Sequence, residues 1–272
     1  MPRRVVVIAL ALALVVVVAV GGWFGWRATQ RTAYEQAVAW LPEPTLRATW
    51  TDWEAVRSLA GGSGLDSSST TREVSRFADR AYDLDLTSTS ALVDSTYALN
   101  RRYGFSPIDA SWEILGQSRE GAVVLLGLDD SADPDEIERN LRRLGYTAPA
   151  DGAGSGGVWT GSVDLVASID PSLTPVMQNV VVLPDERVVL LSDNQAYASS
   201  AASVVTGSAG GLGEVSGVRS LASAAGEPAT SVMWASDFAC EALGTASADE
   251  EDQAVAEQLV EEAGGVSPLR GV

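Results

Sequence analysis

The sequence predicts an α+β protein, in which an N-terminal transmembrane helix precedes antiparallel sheet hairpins packed with helices. Three observations predict this fold. Residues 5–26 carry no charge, two pairs of apolar runs are each joined by a short polar segment, and helix signals fall around these pairs. The resulting order, β-β-α-β-β-β-α, is typical of an antiparallel sheet and lacks the regular βαβ alternation of a parallel one.

The apolar stretch at residues 5–26 is long enough to cross a membrane. As a helix it would reach roughly 33 Å, against a hydrocarbon core of about 30 Å. Residues expected at the membrane interface flank it on both sides: Arg3, Arg4, Trp23, Phe24, Trp26 and Arg27. A cleaved signal peptide is the alternative, but it requires a shorter apolar region and a better small-residue cleavage site than Ala19-Val20-Gly21.

Charge around this stretch predicts how the chain is oriented. Arg3 and Arg4 precede the span and favour a cytoplasmic N-terminus, although Arg27 and Arg31 beyond it weaken the asymmetry. We therefore expect a single-pass plasma-membrane protein whose main domain is extracytoplasmic.

Breaks in composition divide the chain into five segments. They are a cytoplasmic tip with the transmembrane helix at 1–27, a helical stalk at 28–44, an extracytoplasmic α+β module at 45–207, a linker rich in Gly, Ser and Ala at 208–229, and a partial second module at 230–272. Prolines at the end of the second segment stop its helix because proline cannot continue one.

The module opens with a strand and a helix. Leu46–Thr51 alternates in hydropathy, as a half-buried strand does. Asp52 is placed to cap a helix that runs to Leu59. Thr70 and Glu73 then form a capping-box start for a second helix.

Hairpins and helices make up the rest of the module. The predicted elements are, in order, a helix at about 90–103, a hairpin of Trp112–Gly116 and Gly121–Leu128, a helix opened by Asp133 and Pro134 and closed by Gly145, a short strand at Val158–Thr160, a hairpin of Asn179–Leu183 and Arg187–Ser192, and a helix at Ala196–Val205.

Comparison of the chain with itself indicates a duplicated unit. Thr49–Trp53 resembles Met233–Phe238 with one inserted residue, and Gly104–Ile108 resembles Gly265–Leu269 in the same order. The second copy would hold only half a module. Two explanations stay open: the chain is truncated, or the partial copy packs on the first and completes its sheet or buries its open face.

Four runs in the module together resemble a bacterial protein family. They are Ala122–Asp130, Leu144–Tyr146, Val158–Gly161 and Val188–Asp193. This pattern resembles that of actinobacterial single-span membrane-anchored envelope proteins of unknown function, which carry tandem extracytoplasmic α+β modules. The resemblance covers the chain from about Leu46 onward and implies a cell-envelope setting. It brings no catalytic motif.

Composition excludes many kinds of site. The chain has no lysine, no histidine and one cysteine, so triads that need an imidazole, lysine Schiff bases and intrachain disulfides are ruled out. Its net charge is -18, and four of its 18 arginines lie in residues 1–31, which hold no acid, so the rest of the chain is still more acidic. Nucleic acid is therefore not expected as a partner, because binding it requires clustered cations.

Several carboxylates are candidate site residues. Asp129, Asp130, Asp133, Asp135 and Glu136 lack the spacing of a calcium loop and are interpreted as a helix start. The acidic run 249–252 is interpreted as a solvated helix start, with a basic partner or divalent cation as the alternative. A carboxylate hydrolase would draw on acids such as Asp52, Asp109, Glu113 and Asp164, which no sequence spacing singles out.

Other residues are better explained by packing. Six tryptophans could line a ligand groove but are expected in the core: Trp40, Trp50, Trp53, Trp112, Trp159 and Trp234. The glycine-rich run 152–157 lacks the features of a phosphate loop and is interpreted as a flexible loop. Cys240 is expected to be a buried apolar residue.

These patterns predict a non-catalytic, membrane-anchored binding or scaffolding protein of the cell envelope. The membrane contact is through residues 5–26, an envelope protein is the expected partner, and no cofactor or metal is predicted. Two alternatives stay open: a carboxylate-dependent envelope hydrolase, which would need acids clustered in a cleft, and an accessory subunit that docks on a membrane complex.

Overall fold

A computed structural model describes residues 31–150 and 156–235 and, beyond these, residues 249, 251, 252, 254, 255 and 258. The predicted span at 5–26, its interfacial residues and Cys240 lie outside the described residues. Within the described part of the chain, no helix is long and apolar enough to cross a membrane. The chain divides into two compact units, Met1–Ala33 and Tyr34–Val272, and the sheet and its helices form the second.

A seven-stranded antiparallel sheet is the centre of this unit. The strands are β1 (Arg47–Asp52), β2 (Ala110–Gln117), β3 (Ala122–Leu128), β4 (Trp159–Thr160), β5 (Asn179–Leu183), β6 (Val188–Ser192) and β7 (Thr230–Trp234). Their order across the sheet is β4-β5-β6-β3-β2-β1-β7. The two predicted hairpins are confirmed as β2–β3 and β5–β6.

Eight helices surround the sheet in the described residues. They are α1 (Ala33–Ala39), α2 (Trp53–Leu59), α3 (Thr71–Asp83), α4 (Thr96–Arg102), α5 (Pro134–Leu144), α6 (Val163–Ile169), α7 (Gln195–Val205) and α8 (Ser216–Ala225). Several predicted caps are confirmed: the Asp52 side chain accepts from the Ala55 amide, and Thr70 and Glu73 form a capping box.

Helices cover both faces of the sheet, which gives three layers. On one face Leu126 and Val189 pack in a core that includes side chains of α2 to α6. On the other face Leu125 and Leu190 pack in a core that includes side chains of α1, α7 and α8. Because neighbouring side chains of a strand point to opposite faces, the central strands are apolar at nearly every position. This explains the uninterrupted apolar runs in the sequence.

The structure bears out the α+β class with an antiparallel sheet and adds detail to the segments around it. Part of the predicted stalk, Ala33–Ala39, is a helix whose Tyr34, Ala37 and Val38 are buried in the second core. The predicted linker 208–229 contains α8, whose Ala222 is buried. Both segments therefore contribute apolar side chains to the second core.

The strand that begins the predicted second module extends the sheet of the first. β7 pairs antiparallel with β1, with Arg47 opposite Trp234 and Trp50 opposite Ser231. Paired residues share a face and successive residues alternate, so Trp50 and Trp234 point to opposite faces.

A close approach at Gly127 on β3 provides a test of sheet packing. A Cβ atom at this position would lie 2.3 Å from ring atoms of Trp112, which sits opposite it on β2. We expect Gly127→Ala to displace the ring and lower the free energy of unfolding by about 1–3 kcal/mol, as measured by urea denaturation. Gly64→Ala is the control because its Cβ meets nothing within 4 Å. Equal stabilities would show that Trp112 does not cover Gly127.

Candidate functional site

An acidic pocket of 510 Å³ lies between α3 and the segment that leads into α4. Helix α3 contributes Asp79 and Tyr82, the connecting segment contributes Asp85 and Asp94, and α4 contributes Tyr97. Serine and threonine hydroxyls line the rest of the wall together with a few apolar groups. No arginine is among the lining residues that the structure describes.

The same short pattern builds two sides of the pocket. Asp79 and Tyr82 are three residues apart in α3, and Asp94 and Tyr97 are three apart where a 3₁₀ turn runs into α4. This spacing places an acid and an aromatic ring on one side of a helix. Tyr82 is 76% exposed and Tyr97 is 47% exposed, so both rings are available to a ligand.

The opposite side of α3 fixes the helix to the core. Val74, Phe77 and Ala81 are buried, and Arg80 Nε donates to the Ala60 carbonyl at 2.7 Å. With one side held in this way, the other side presents Asp79 to solvent.

The connecting segment is fixed to the sheet at Thr89. Thr49 Oγ1 donates to the Thr89 carbonyl at 2.7 Å, and the hydroxyls of Thr51 and Thr89 lie 2.8 Å apart. Asp85 adopts a left-handed backbone conformation, with φ of 55°, as the chain leaves α3. These features give the pocket a wall anchored to β1.

Unpartnered negative charge is the main chemical property of the pocket. Asp79, Asp85 and Asp94 are exposed, and within the described residues none of their carboxylates makes a hydrogen bond or an ion pair. Carboxylates beside tyrosine faces attract an organic cation through both charge and the electron-rich rings. The arrangement suits a cationic ligand better than an anionic one.

Glu113 lies beneath this pocket. Among the four acids considered for a carboxylate hydrolase, it is the one connected to the pocket. It is 1% exposed, and its side chain accepts hydrogen bonds from Trp53, Ser90 and the Ala91 amide. Burial raises its pKa to about 7, and the hydrogen bonds oppose that rise. Ser90 is itself part of the pocket wall.

The other three candidate acids have separate local roles. Asp52 caps α2, and burial raises its pKa. Asp109 accepts from Ser106 Oγ at 2.9 Å, and burial raises its pKa as well. Asp164 lies in the first turn of α6. Among the described residues, no three acids or cysteines are arranged to hold a metal ion.

The acidic run before α5 is a helix start, as predicted. Asp133 Oδ1 accepts from the Asp135 amide at 3.0 Å, and Pro134 is the first helical residue. Gly145 closes the helix in a left-handed conformation. Acids in this first turn are stabilised by the helix dipole and need no bound cation.

The tryptophans lie mainly in the core, as predicted. Trp50, Trp53 and Trp159 are fully buried. Trp40 and Trp112 are half-buried, and their ring centroids lie 6.2 Å apart.

Trp234 instead lines a mostly apolar groove of 660 Å³, together with Leu221 and Met233. This groove also includes Ala235, the last residue of the continuously described chain.

Sequence reasoning missed the acidic pocket. The signal in the sequence was the Asp-x-x-Tyr spacing, which occurs at 79–82 and again at 94–97. The hydrophobic pattern of the sequence does not account for either tyrosine. The predicted interfacial residues lie outside the described part of the chain and stay a prediction.

Comparison with known proteins finds no matching family, no similar curated protein and no similar solved structure. The pocket is therefore interpreted from its own geometry.

Proposed function

We propose that the protein is a non-catalytic binding protein of the bacterial cell envelope, anchored in the plasma membrane through residues 5–26, whose extracytoplasmic domain binds an organic cation. The observation that carries the ligand class is the pocket lined by Asp79, Asp85 and Asp94 without a basic residue. The resemblance to single-span envelope proteins and the hydrophobic N-terminal stretch support the proposed location.

The pocket fits binding better than hydrolysis. A glycosidase requires two carboxyl groups with different environments, one of them held protonated near the scissile bond. Here the three pocket aspartates are all exposed, while the buried Glu113, whose pKa is raised to about 7, is enclosed by its own hydrogen-bond donors. Among its described lining residues, the pocket thus offers charge for attraction without an exposed acid–base pair.

The test is calorimetric titration of the full chain, in an uncharged polyoxyethylene detergent, with hexamethonium. This dication has quaternary ammonium groups, which aromatic faces and carboxylates both attract. We expect saturable binding that weakens as salt rises, because exposed charges are screened. The double variant Asp79→Asn/Asp94→Asn should bind about fivefold more weakly, because each exposed charge pair that is lost contributes roughly 0.5 kcal/mol.

A matched variant separates the pocket from the general negative charge of the protein. Asp185 is exposed in the β5–β6 turn and lines none of the described pockets, so Asp185→Asn should bind like the unchanged chain. If Asp185→Asn weakens binding as much as a single pocket substitution, the attraction is non-specific. Binding of an uncharged chitooligosaccharide in place of hexamethonium would also overturn the proposal.

A further inference from the structure

Glu113 joins the sheet to the wall of the acidic pocket through a set of short contacts. Its Oε2 accepts from Trp53 Nε1 at 3.1 Å and from Ser90 Oγ at 2.8 Å. Its Oε1 accepts from the Ala91 amide at 2.6 Å. Three donors from two different elements therefore converge on one buried carboxylate.

Ser90 carries this contact into the pocket wall. Its Oγ donates to Glu113 and accepts from the amides of Leu92 and Val93, at 3.1 Å and 3.0 Å. Ser90, Val93 and Asp94 all line the pocket. The position of Asp94, one of the three ligand-attracting acids, is thus linked to the carboxylate of Glu113 through the Ser90 hydroxyl and the neighbouring Ala91 amide.

We propose that Glu113 is a positioning residue of the acidic pocket, which holds residues 90–94 in the cation-binding arrangement while its carboxylate is ionised. The inference rests on the proposed function of that pocket. It adds that protonation of Glu113, a residue that the ligand does not touch, controls ligand binding.

The hydrogen-bond geometry explains why protonation would disturb the wall. A protonated carboxyl group is itself a donor, and the groups that face it are already donors. A proton on Oε2 would point at the Trp53 N–H and the Ser90 O–H, while Ser90 Oγ is already accepting from two amides. One of these contacts has to break, and a break at Ser90 falls on a residue that shapes the pocket.

No described ionisable group bonds to Glu113 from the elements packed around it. Its neighbours across the sheet are Thr51 on β1 and Leu126 on β3. The ionisable residues of β1, α2 and the segment 84–95 are Arg47, Asp52, Glu54, Arg57, Asp85 and Asp94. None of them hydrogen-bonds or ion-pairs with the carboxylate of Glu113. A pH dependence of binding that Glu113→Gln removes therefore reports on Glu113 itself.

The test is hexamethonium affinity of the full chain at pH 8 and pH 6. The charge of this ligand does not change with pH. Burial places the pKa of Glu113 at about 7, so its ionised fraction falls about tenfold over this range and the affinity should fall by about the same factor. Glu113→Gln should bind weakly at both pH values, and its affinity should change by less than about twofold.

Ser90→Ala provides a second variant in case Glu113→Gln fails to fold. It retains the carboxylate and its bond from the Ala91 amide but removes the hydroxyl that joins Oε2 to the pocket wall. Because protonation of Oε2 would act on the wall through that hydroxyl, the affinity of this variant should also lose most of the pH dependence. Unchanged pH dependence in either folded variant would overturn the role of Glu113 and leave the proposed function standing. Absence of binding by the unchanged chain at pH 8 would instead overturn the proposed function, and this inference with it.

Discussion

Replacing Trp50 by alanine is expected to lower the free energy of unfolding by about 3–5 kcal/mol, as for other large aromatic side chains removed from a core. Trp50 is 2% exposed, stacks on Trp112 with ring centroids 5.6 Å apart and meets the edge of Tyr34 at 5.3 Å. Its Nε1 also donates to the Pro228 carbonyl at 2.8 Å. The side chain therefore joins β1, β2, α1 and the segment before β7.

Chemical denaturation with near-UV circular dichroism measures this effect. The aromatic signal should decrease and the midpoint should fall in Trp50→Ala. Trp40→Ala is the matched control, because Trp40 is half-buried and only its tilted contact with Trp112 is lost. If the two variants lose the same stability, the second core is not organised around Trp50.

The difference in the free energy of unfolding between the protein and its Glu113→Gln variant should change with pH by about 3 kcal/mol. Burial raises the pKa of Glu113 from 4.5 to about 7, so the folded state holds this proton more tightly than the unfolded state. The stabilisation is fully present below about pH 4.5 and is lost as pH rises through about 7. Glutamine cannot titrate, so the variant lacks this contribution at every pH.

Urea denaturation of both proteins at pH 4, 6 and 8 measures the difference. Subtraction removes the titration of the other acids, which both proteins share. It also removes any constant cost of the glutamine amide, because that cost does not vary with pH. Parallel stability curves would show that Glu113 titrates in the folded protein as it does in the unfolded chain.

The sequence predicts the centre of the fold well because local signals and burial agree there. β3 and β6 are apolar at nearly every position, and the turns between paired strands are polar. Helix α5 is capped by Asp133 and Gly145, which are the residue types that those two cap positions favour.

Other elements lack such signals. Helix α8 is rich in Gly, Ser and Ala, and its helical state depends on tertiary contacts that a composition rule cannot detect. Helix α6 was missed because it is short, although Ser162 caps it by accepting from the Leu165 amide at 3.1 Å.

The candidate site was the least predictable part. Glu113 was one of several indistinguishable acids in the sequence, because its burial depends on α2 and the segment 87–95 folding over β2. Asp79 and Asp94 meet only when α3 and α4 are brought to the two sides of one pocket. The Asp-x-x-Tyr pattern can be found in the sequence. Only the fold shows that its two copies line the same pocket.

The most direct test of cation binding in the acidic pocket is to locate the bound cation. Hydrogen exchange of the full chain, followed by mass spectrometry, should be compared with and without saturating hexamethonium at pH 8. We expect slower exchange in peptides that cover residues 74–97 and unchanged exchange across β6 and α7. Protection confined to any other part of the chain, or binding without protection at 74–97, would contradict the assignment of this pocket as the binding site.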